Sequence, residues 1–152
     1  MNRLPYAEDV NYWKTGKSDP DTWIAKAKEL ITKFGGTVIM EGFGSEALTG
    51  RSAYMLGFSI GGDNFKIVWP VLPTKSGKDE KAARIQAATM LHHDVKAKCI
   101  SAAVLGARAA FFSYLVLPDG RTTAEVTTAE LANSIPELFG NPQLETGNND
   151  LE

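Results

Sequence analysis

The sequence contains few of the residues that build disulfides, metal sites and membrane spans. Its 152 residues include one cysteine, so an internal disulfide is excluded, and only two histidines, which are adjacent. The apolar run Cys99–Leu105, interrupted by Ser101, is far shorter than the ~20 residues of a membrane-spanning helix. The start of the chain lacks an apolar stretch of signal-peptide length. These absences predict a cytoplasmic protein in a reducing compartment.

Basic residues are also absent from the end of the chain. Residues 126–152 hold five acidic and no basic residues, whereas residues 51–125 hold ten basic and six acidic ones. The formal net charge of −2 argues against a strongly cationic nucleic-acid binder taken as a whole, but the middle of the chain is basic. The polar stretch 140–152 is predicted to be a flexible acidic tail.

Composition and periodicity predict one α+β domain over residues 19–139, preceded by an N-terminal arm, residues 1–18. Hydrophobic residues make up 43% of the chain, enough for a sizeable core. Asp19 and Pro20 are typical of a helix start, and apolar residues then recur at helical spacing up to Gly35-Gly36. Three strand-like runs follow, Thr37–Phe43, Ala53–Ile60 and Phe65–Val71, with a hairpin turn over residues 61–64.

The second half of the chain returns to a helical period. A long helix is predicted from about Asp79, opened by a capping box with Ser76 and ended by Gly106. After Lys98 this helix is apolar on all sides, which predicts that it enters the centre of the domain or a subunit interface.

Three shorter elements complete the predicted domain. The stretch 108–117 fits a helix or a fourth strand of the sheet, and helix is preferred. Residues 117–120 suit a reverse turn. Thr122 and Glu125 have the spacing of a second capping box, which would open a helical part through Leu138. The expected architecture is a small antiparallel sheet of three or four strands packed by an N-terminal and a long central helix.

Three resemblances follow from these patterns. Lys96-Ala97-Lys98, an apolar segment and then Tyr114-Leu-Val-Leu-Pro-Asp-Gly-Arg-Thr122 resemble a family of short, uncharacterised proteins of phages and mobile elements, which implies a genomic context. The order helix, three strands, helix resembles the double-stranded-RNA-binding domain, and the sheet-and-helix core is similar to Rad52-like annealing domains. The last two likenesses imply nucleic-acid binding, although Asp79 and Glu80 interrupt the lysines that begin the second helix of the RNA-binding domain.

The strongest candidate site is a basic cluster of Lys75, Lys78, Lys81 and Arg84. Lys78, Lys81 and Arg84 are spaced one turn apart at the start of the long helix, and Lys75 lies on the loop before it. Cations at a helix N-terminus suit phosphate oxygens. Charge runs are, however, usually solvated faces, and Asp79 and Glu80 offset part of this charge.

Other residues suggest further sites. His92-His93-Asp94 with Cys99 suggests a metal, but adjacent helical residues point about 100° apart, and a buried histidine held by one hydrogen bond fits the pattern better. No metal or cofactor is therefore assigned.

Glu41, Asp63 and Lys66 would be the residues of a metal-dependent nuclease, although their spacing does not favour one. Ser59 before Gly61-Gly62 has no assigned base. Tyr6, Tyr12 and Trp13 in the arm could stack on bases, but such rings more often pack on protein.

The sequence thus favours a non-catalytic nucleic-acid-binding accessory protein. Its alternative is a protein-interaction or structural module that forms a homo-oligomer through the alanine-rich helix. A metal-dependent nuclease is third.

Overall fold

The computed structural model describes residues 4–45 and 51–127, which form a three-stranded antiparallel sheet with two long helices. The helices are α1 (Pro20–Lys33), α2 (Glu80–Leu105) and the short α3 (Ala107–Ala110). The strands are β1 (Thr37–Ser45), β2 (Ser52–Ile60) and β3 (Asp63–Pro70), in the order β1-β2-β3. Single 3₁₀ turns lie at Ala7–Asp9 and Phe112–Tyr114. The α+β prediction is confirmed.

The sheet forms because alternating apolar side chains share one face. Leu56 and Phe58 of β2 and Phe65 and Ile67 of β3 are fully or almost fully buried beneath the helices. Gly61 and Gly62 make the β2–β3 turn with φ of 59° and 90°, values that glycine adopts without a steric penalty. The turn is thus two residues long, and Asp63 already pairs with Ile60.

α1 begins as the sequence predicts and ends before the two glycines. Asp19 is its N-cap and Pro20 its first residue, although the Asp19 side chain makes no capping hydrogen bond. Gly36 then fits where no side chain could, since an added Cβ would lie 2.8 Å from Ile31 Cγ2 and 2.9 Å from Ile60 Cγ1. The close approach joins α1 to the sheet.

α1 and α2 lie side by side and run in the same direction. Lys81 of α2 approaches Asp19 at the start of α1, and further along both helices Trp23 contacts His92. Near the end of α1, Leu30 lines a groove with Ile100 of α2. α2 is longer and extends past the end of α1, so the last turns of α2 do not pack against α1.

The end of α2 contradicts one of the two alternatives predicted for it. Its apolar second half does not enter the centre of the domain, because Ile100, Val104 and Leu105 are 63%, 82% and 66% exposed. Gly106, with φ of 92°, ends the helix as predicted.

The stretch 108–117 is neither one continuous helix nor a fourth full strand. α3 and a 3₁₀ turn are followed by isolated bridges, Phe65 to Leu115 and Val116 to Thr122. The aromatic side chains explain this irregular path, since Phe111 must reach the core, where it contacts Phe58 edge-on at 5.3 Å.

The second capping box is confirmed and the first is wrong. Thr122 N donates to Glu125 Oε1 at 2.7 Å, and Glu125 N donates to Thr122 Oγ1 at 3.2 Å. Residues 123–127 are helical; the rest of the predicted helical part and the predicted tail 140–152 lie outside the described residues. At the start of α2 the N-cap is Asp79, which has a left-handed φ of 64° and makes no side-chain capping hydrogen bond, while Ser76 Oγ accepts from Lys78 N.

The N-terminal arm packs on the domain from residue 4 onward. Ala7 is fully buried in the core, and Leu4, Val10 and Trp13 pack against it. The amide of Gln86, itself buried in α2, donates through Nε2 to the carbonyl oxygens of Ala7, Val10 and Asn11 at 2.9, 3.1 and 3.0 Å. This glutamine therefore holds the arm to α2.

Candidate nucleic-acid interface

The predicted basic cluster is divided between a loop and the first turns of α2. The left-handed residues Gly77 (φ 73°) and Asp79 (φ 64°) prevent the helix from starting before Glu80. Lys78 therefore lies on the loop with Lys75 and not one helical turn before Lys81, which corrects the predicted spacing. Lys81 and Arg84 remain one turn apart on α2.

Lys75 is bound to acidic residues of the N-terminal arm. Its Nζ lies 3.0 Å from Asp9 Oδ1, and its backbone N donates to both carboxylate oxygens of Glu8. The hydrogen bond that the Lys75 ammonium donates to Asp9 and the nearby acidic charge raise the pKa of Lys75. Asp9 therefore offsets part of the charge of this lysine, and Glu8 adds negative charge nearby.

Lys78 and Lys81 are the more open cations of the four. Lys78 is exposed, and Lys81 Nζ lies 3.9 Å from Asp19 Oδ1, where both side chains are at least 70% exposed. An ion pair this exposed adds little stability, so the Lys81 ammonium can turn toward another anion.

Arg84 packs on aromatic rings of the sheet. Its guanidinium lies over the Phe43 ring, with Cζ 4.6 Å from the centroid, and its Nε donates to Tyr54 Oη at 3.4 Å. This hydrogen bond raises the pKa of Arg84 against a smaller opposing effect of burial. Arg84 is therefore held in place, partly buried and still charged.

A cleft of about 330 Å³ opens beside Lys78. Arg51 and Ser52 line it at the start of β2, and Lys78, Glu80 and Ala83 line it near the start of α2. Arg51 and Phe43 were not singled out from the sequence. Only strand pairing, which puts Phe43 opposite Tyr54 and Ser45 opposite Ser52, brings them to the same end of the sheet as the cluster.

The aromatic residues of the arm contact the protein. The Tyr12 ring stacks on His93 with centroids 4.9 Å apart and planes 12° from parallel. Trp13 packs against the core, and Lys14 lies 5.3 Å from its centroid. Tyr6 is 45% exposed. Two of the three rings therefore pack on the protein.

The suggested metal residues have separate contacts. His92 is buried beside Trp23, its Nδ1 has no hydrogen-bond partner among the described residues, and burial lowers its pKa. Asp94 accepts hydrogen bonds from Tyr114 Oη at 2.5 Å and Lys98 Nζ at 3.2 Å, and burial raises the pKa of Cys99. In residues 4–45 and 51–127, no three His, Cys, Asp or Glu side chains are grouped to hold a metal ion.

The suggested nuclease residues do not meet. Glu41, on β1, accepts a hydrogen bond from Lys28 at 2.5 Å. Asp63, at the β2–β3 turn, accepts two hydrogen bonds of 2.9 Å from Arg108. Arg108 lowers the pKa of the Asp63 carboxyl. Glu41 is opposite Leu56 and Asp63 is opposite Ile60, so four residues of strand, about 13 Å, separate the carboxylates along the sheet.

Ser59 lies at the centre of Gly57-Phe-Ser-Ile-Gly61, a spacing that matches the serine nucleophile pattern Gly-x-Ser-x-Gly. That pattern needs a strand-to-helix turn, but Ser59 lies within β2, paired with Thr37 and Asn64. Its neighbours Phe58 and Ile60 face the core, so Ser59 points to the opposite face from the histidines of α2.

No protein-family model, curated protein or solved structure matches this chain. Among the helices of the described segments, none is long and apolar enough to cross a membrane.

Proposed function

We propose that this protein is a non-catalytic nucleic-acid-binding accessory protein of a phage or mobile element. The phage or mobile-element setting rests on the resemblance carried by the segment from Tyr114 to Thr122. Nucleic-acid binding rests on the cations at one end of the domain, where α2 and β2 both begin.

The observation that carries this proposal is the open state of Lys78 and Lys81. Both are exposed, and the Asp19 carboxylate nearest Lys81 is 3.9 Å away and solvated. Arg84 adds a fixed charge one turn along α2, and Arg51 lines the cleft opposite Lys78. Phosphates bound by such side chains need no base-specific contact, so binding would be largely independent of sequence.

A titration against labelled nucleic acid tests the proposal. With three phosphates neutralised, affinity should fall about 20- to 40-fold between 50 and 200 mM salt. Fluorescence anisotropy with single-stranded DNA, duplex DNA and RNA measures this slope. Lys78→Glu/Lys81→Glu should abolish binding to whichever probe the protein binds.

Lys33→Glu/Lys96→Glu is the matched control. It makes the same change of charge where α1 ends, along a groove lined by both lysines. Binding that survives this control and is lost in the first variant supports contact at the basic cluster. Equal loss in both variants would mean that only net charge matters, and no binding at low salt would refute the proposal.

A protein-interaction module is the second candidate, favoured by the apolar end of α2. Ile100, Val104 and Leu105 are exposed there, and Phe112 is 52% exposed further along the chain. Exposed apolar side chains in one region often mark a protein interface.

Sedimentation at decreasing protein concentration tests the second candidate. A homo-oligomer formed through this end of α2 should dissociate on dilution, and Val104→Asp should prevent its assembly. A monomer at every concentration would refute the homo-oligomer.

A further inference from the structure

Phe43 is a second feature of the interface, and its chemistry differs from that of the lysines. It lies near the end of β1 and remains 41% exposed, although its neighbour across the sheet, Tyr54, is only 5% exposed. The two rings are 4.7 Å apart and inclined by 50°. An aromatic side chain left this open on a strand is available to a ligand.

The ring of Phe43 is held in a fixed orientation. Tyr54 supports it from the side, while the Arg84 guanidinium lies over it at 4.6 Å and is itself held by the hydrogen bond to Tyr54 Oη. Three groups from β1, β2 and α2 therefore form one rigid unit. A preorganised ring loses little conformational entropy when a flat ligand stacks on it.

The unit combines a partly exposed aromatic ring with fixed and mobile cations. Arg84 is one helical turn from Lys81, so a strand whose base contacted Phe43 would have its phosphates near both positive charges. Proteins that bind single strands combine aromatic stacking with a basic groove in this way. In a duplex, by contrast, the faces of the bases are covered by their neighbours.

We infer that Phe43, supported by Tyr54 and Arg84, is a base-stacking platform that makes single-stranded nucleic acid the preferred ligand. This inference rests on the proposed nucleic-acid-binding function and adds strandedness to it. Stacking involves the base and not the sugar, so DNA and RNA strands share the chemistry.

The test compares probes with and without bases. Anisotropy titrations use a single-stranded DNA, the RNA of the same sequence, the DNA duplex and an abasic deoxyribose-phosphate strand of equal length. Phe43→Ala should weaken binding of a base-containing single strand about 5- to 100-fold and leave binding of the abasic strand unchanged. This result with either DNA or RNA supports the platform.

Two further variants separate stacking from folding. Phe43→Leu keeps the apolar bulk without the ring and should lose the same affinity, whereas Phe43→Trp should restore it. The fluorescence of the added tryptophan, taken as the difference from the unsubstituted protein, should be quenched by the base-containing strand and not by the abasic one. Phe112→Ala removes another exposed ring and should change no affinity.

The outcomes distinguish this inference from the proposed function. If Lys78→Glu/Lys81→Glu abolishes binding but Phe43→Ala and Phe43→Leu do not weaken it, the platform is refuted and phosphate binding stands. Equal affinity of the unsubstituted protein for base-containing and abasic strands also refutes the platform. Absence of binding to every probe refutes both.

Discussion

Replacing Gln86 by methionine should release the N-terminal arm from α2. Gln86 is fully buried, and its Nε2 faces three carbonyl oxygens of the arm, those of Ala7, Val10 and Asn11, at 2.9 to 3.1 Å. Gln86→Met keeps the length of the side chain and removes both N–H donors. The carbonyls of Val10 and Asn11 would then lose this donor, while that of Ala7 would keep its hydrogen bond from Val10 N at 3.1 Å.

The magnitude follows from the hydrogen bonds that are lost. An amide nitrogen has two hydrogens, so the three carbonyls share about two full hydrogen bonds. Losing these costs about 1 to 3 kcal/mol, since the Ala7 carbonyl keeps its hydrogen bond from Val10 N. Oε1 of Gln86 has no partner among the described residues, and removing this buried oxygen returns about 1 kcal/mol. A net loss of about 1 kcal/mol is expected in the free energy of unfolding.

Urea unfolding followed by tryptophan fluorescence measures this loss, and limited proteolysis of the folded protein should show cleavage within residues 4–18. Lys96→Met introduces the same side chain at an exposed position of the same helix and should change stability by less than about 0.5 kcal/mol. Equal stability of Gln86→Met and the unsubstituted protein, with the arm still protected, would refute this role of Gln86.

Three further predictions concern the core and its histidine. Phe111→Ala should lose about 3 to 5 kcal/mol of unfolding free energy in urea titrations, whereas Phe112→Ala, at the exposed neighbouring position, should lose less than about 0.5; similar losses would contradict the assigned burial. Gly36→Ala should lower the free energy of unfolding by about 1 to 3 kcal/mol, because the added Cβ would overlap α1 and β2. Gly44→Ala, where no atom lies close to the added Cβ, should lower it by less than about 1 kcal/mol in the same assay. The reverse order of the two losses would contradict the packing. Burial lowers the pKa of His92 below its value in the unfolded chain, so the stability that neutral His92 contributes is present above the unfolded pKa near 6.5 and is lost as the pH falls through the folded pKa. Urea titrations between pH 7.5 and 5 should therefore show a loss of unfolding free energy, and His92→Asn should reduce that loss. An unchanged pH dependence in His92→Asn would contradict this prediction.

Local patterns predicted the elements where the residues themselves set the geometry. The glycine pair of the β2–β3 turn and the reciprocal bonds between Thr122 and Glu125 act over two to four residues, so they are readable in one sequence. The same local logic failed at Ser76 and Asp79. There the loop closes against the arm, with Lys14 Nζ 3.4 Å from Asp79 Oδ2, and left-handed residues replace the expected cap.

The candidate site was predictable only in part. Lys75, Lys78, Lys81 and Arg84 are close in sequence, and their proximity to one another followed from that. Their partners did not, because Asp9 and the rings of the sheet come from distant parts of the chain. Phe43 is an ordinary residue of a strand until sheet pairing and the start of α2 bring Arg84 over it.

The sequence by itself determined that the chain forms one α+β arrangement, since hydrophobic periodicity and turn residues are local properties. The tertiary structure decided which charges are offset, which rings stay open and that α2 extends past α1. Those outcomes depend on which distant segments meet, and a single sequence carries no direct record of such contacts.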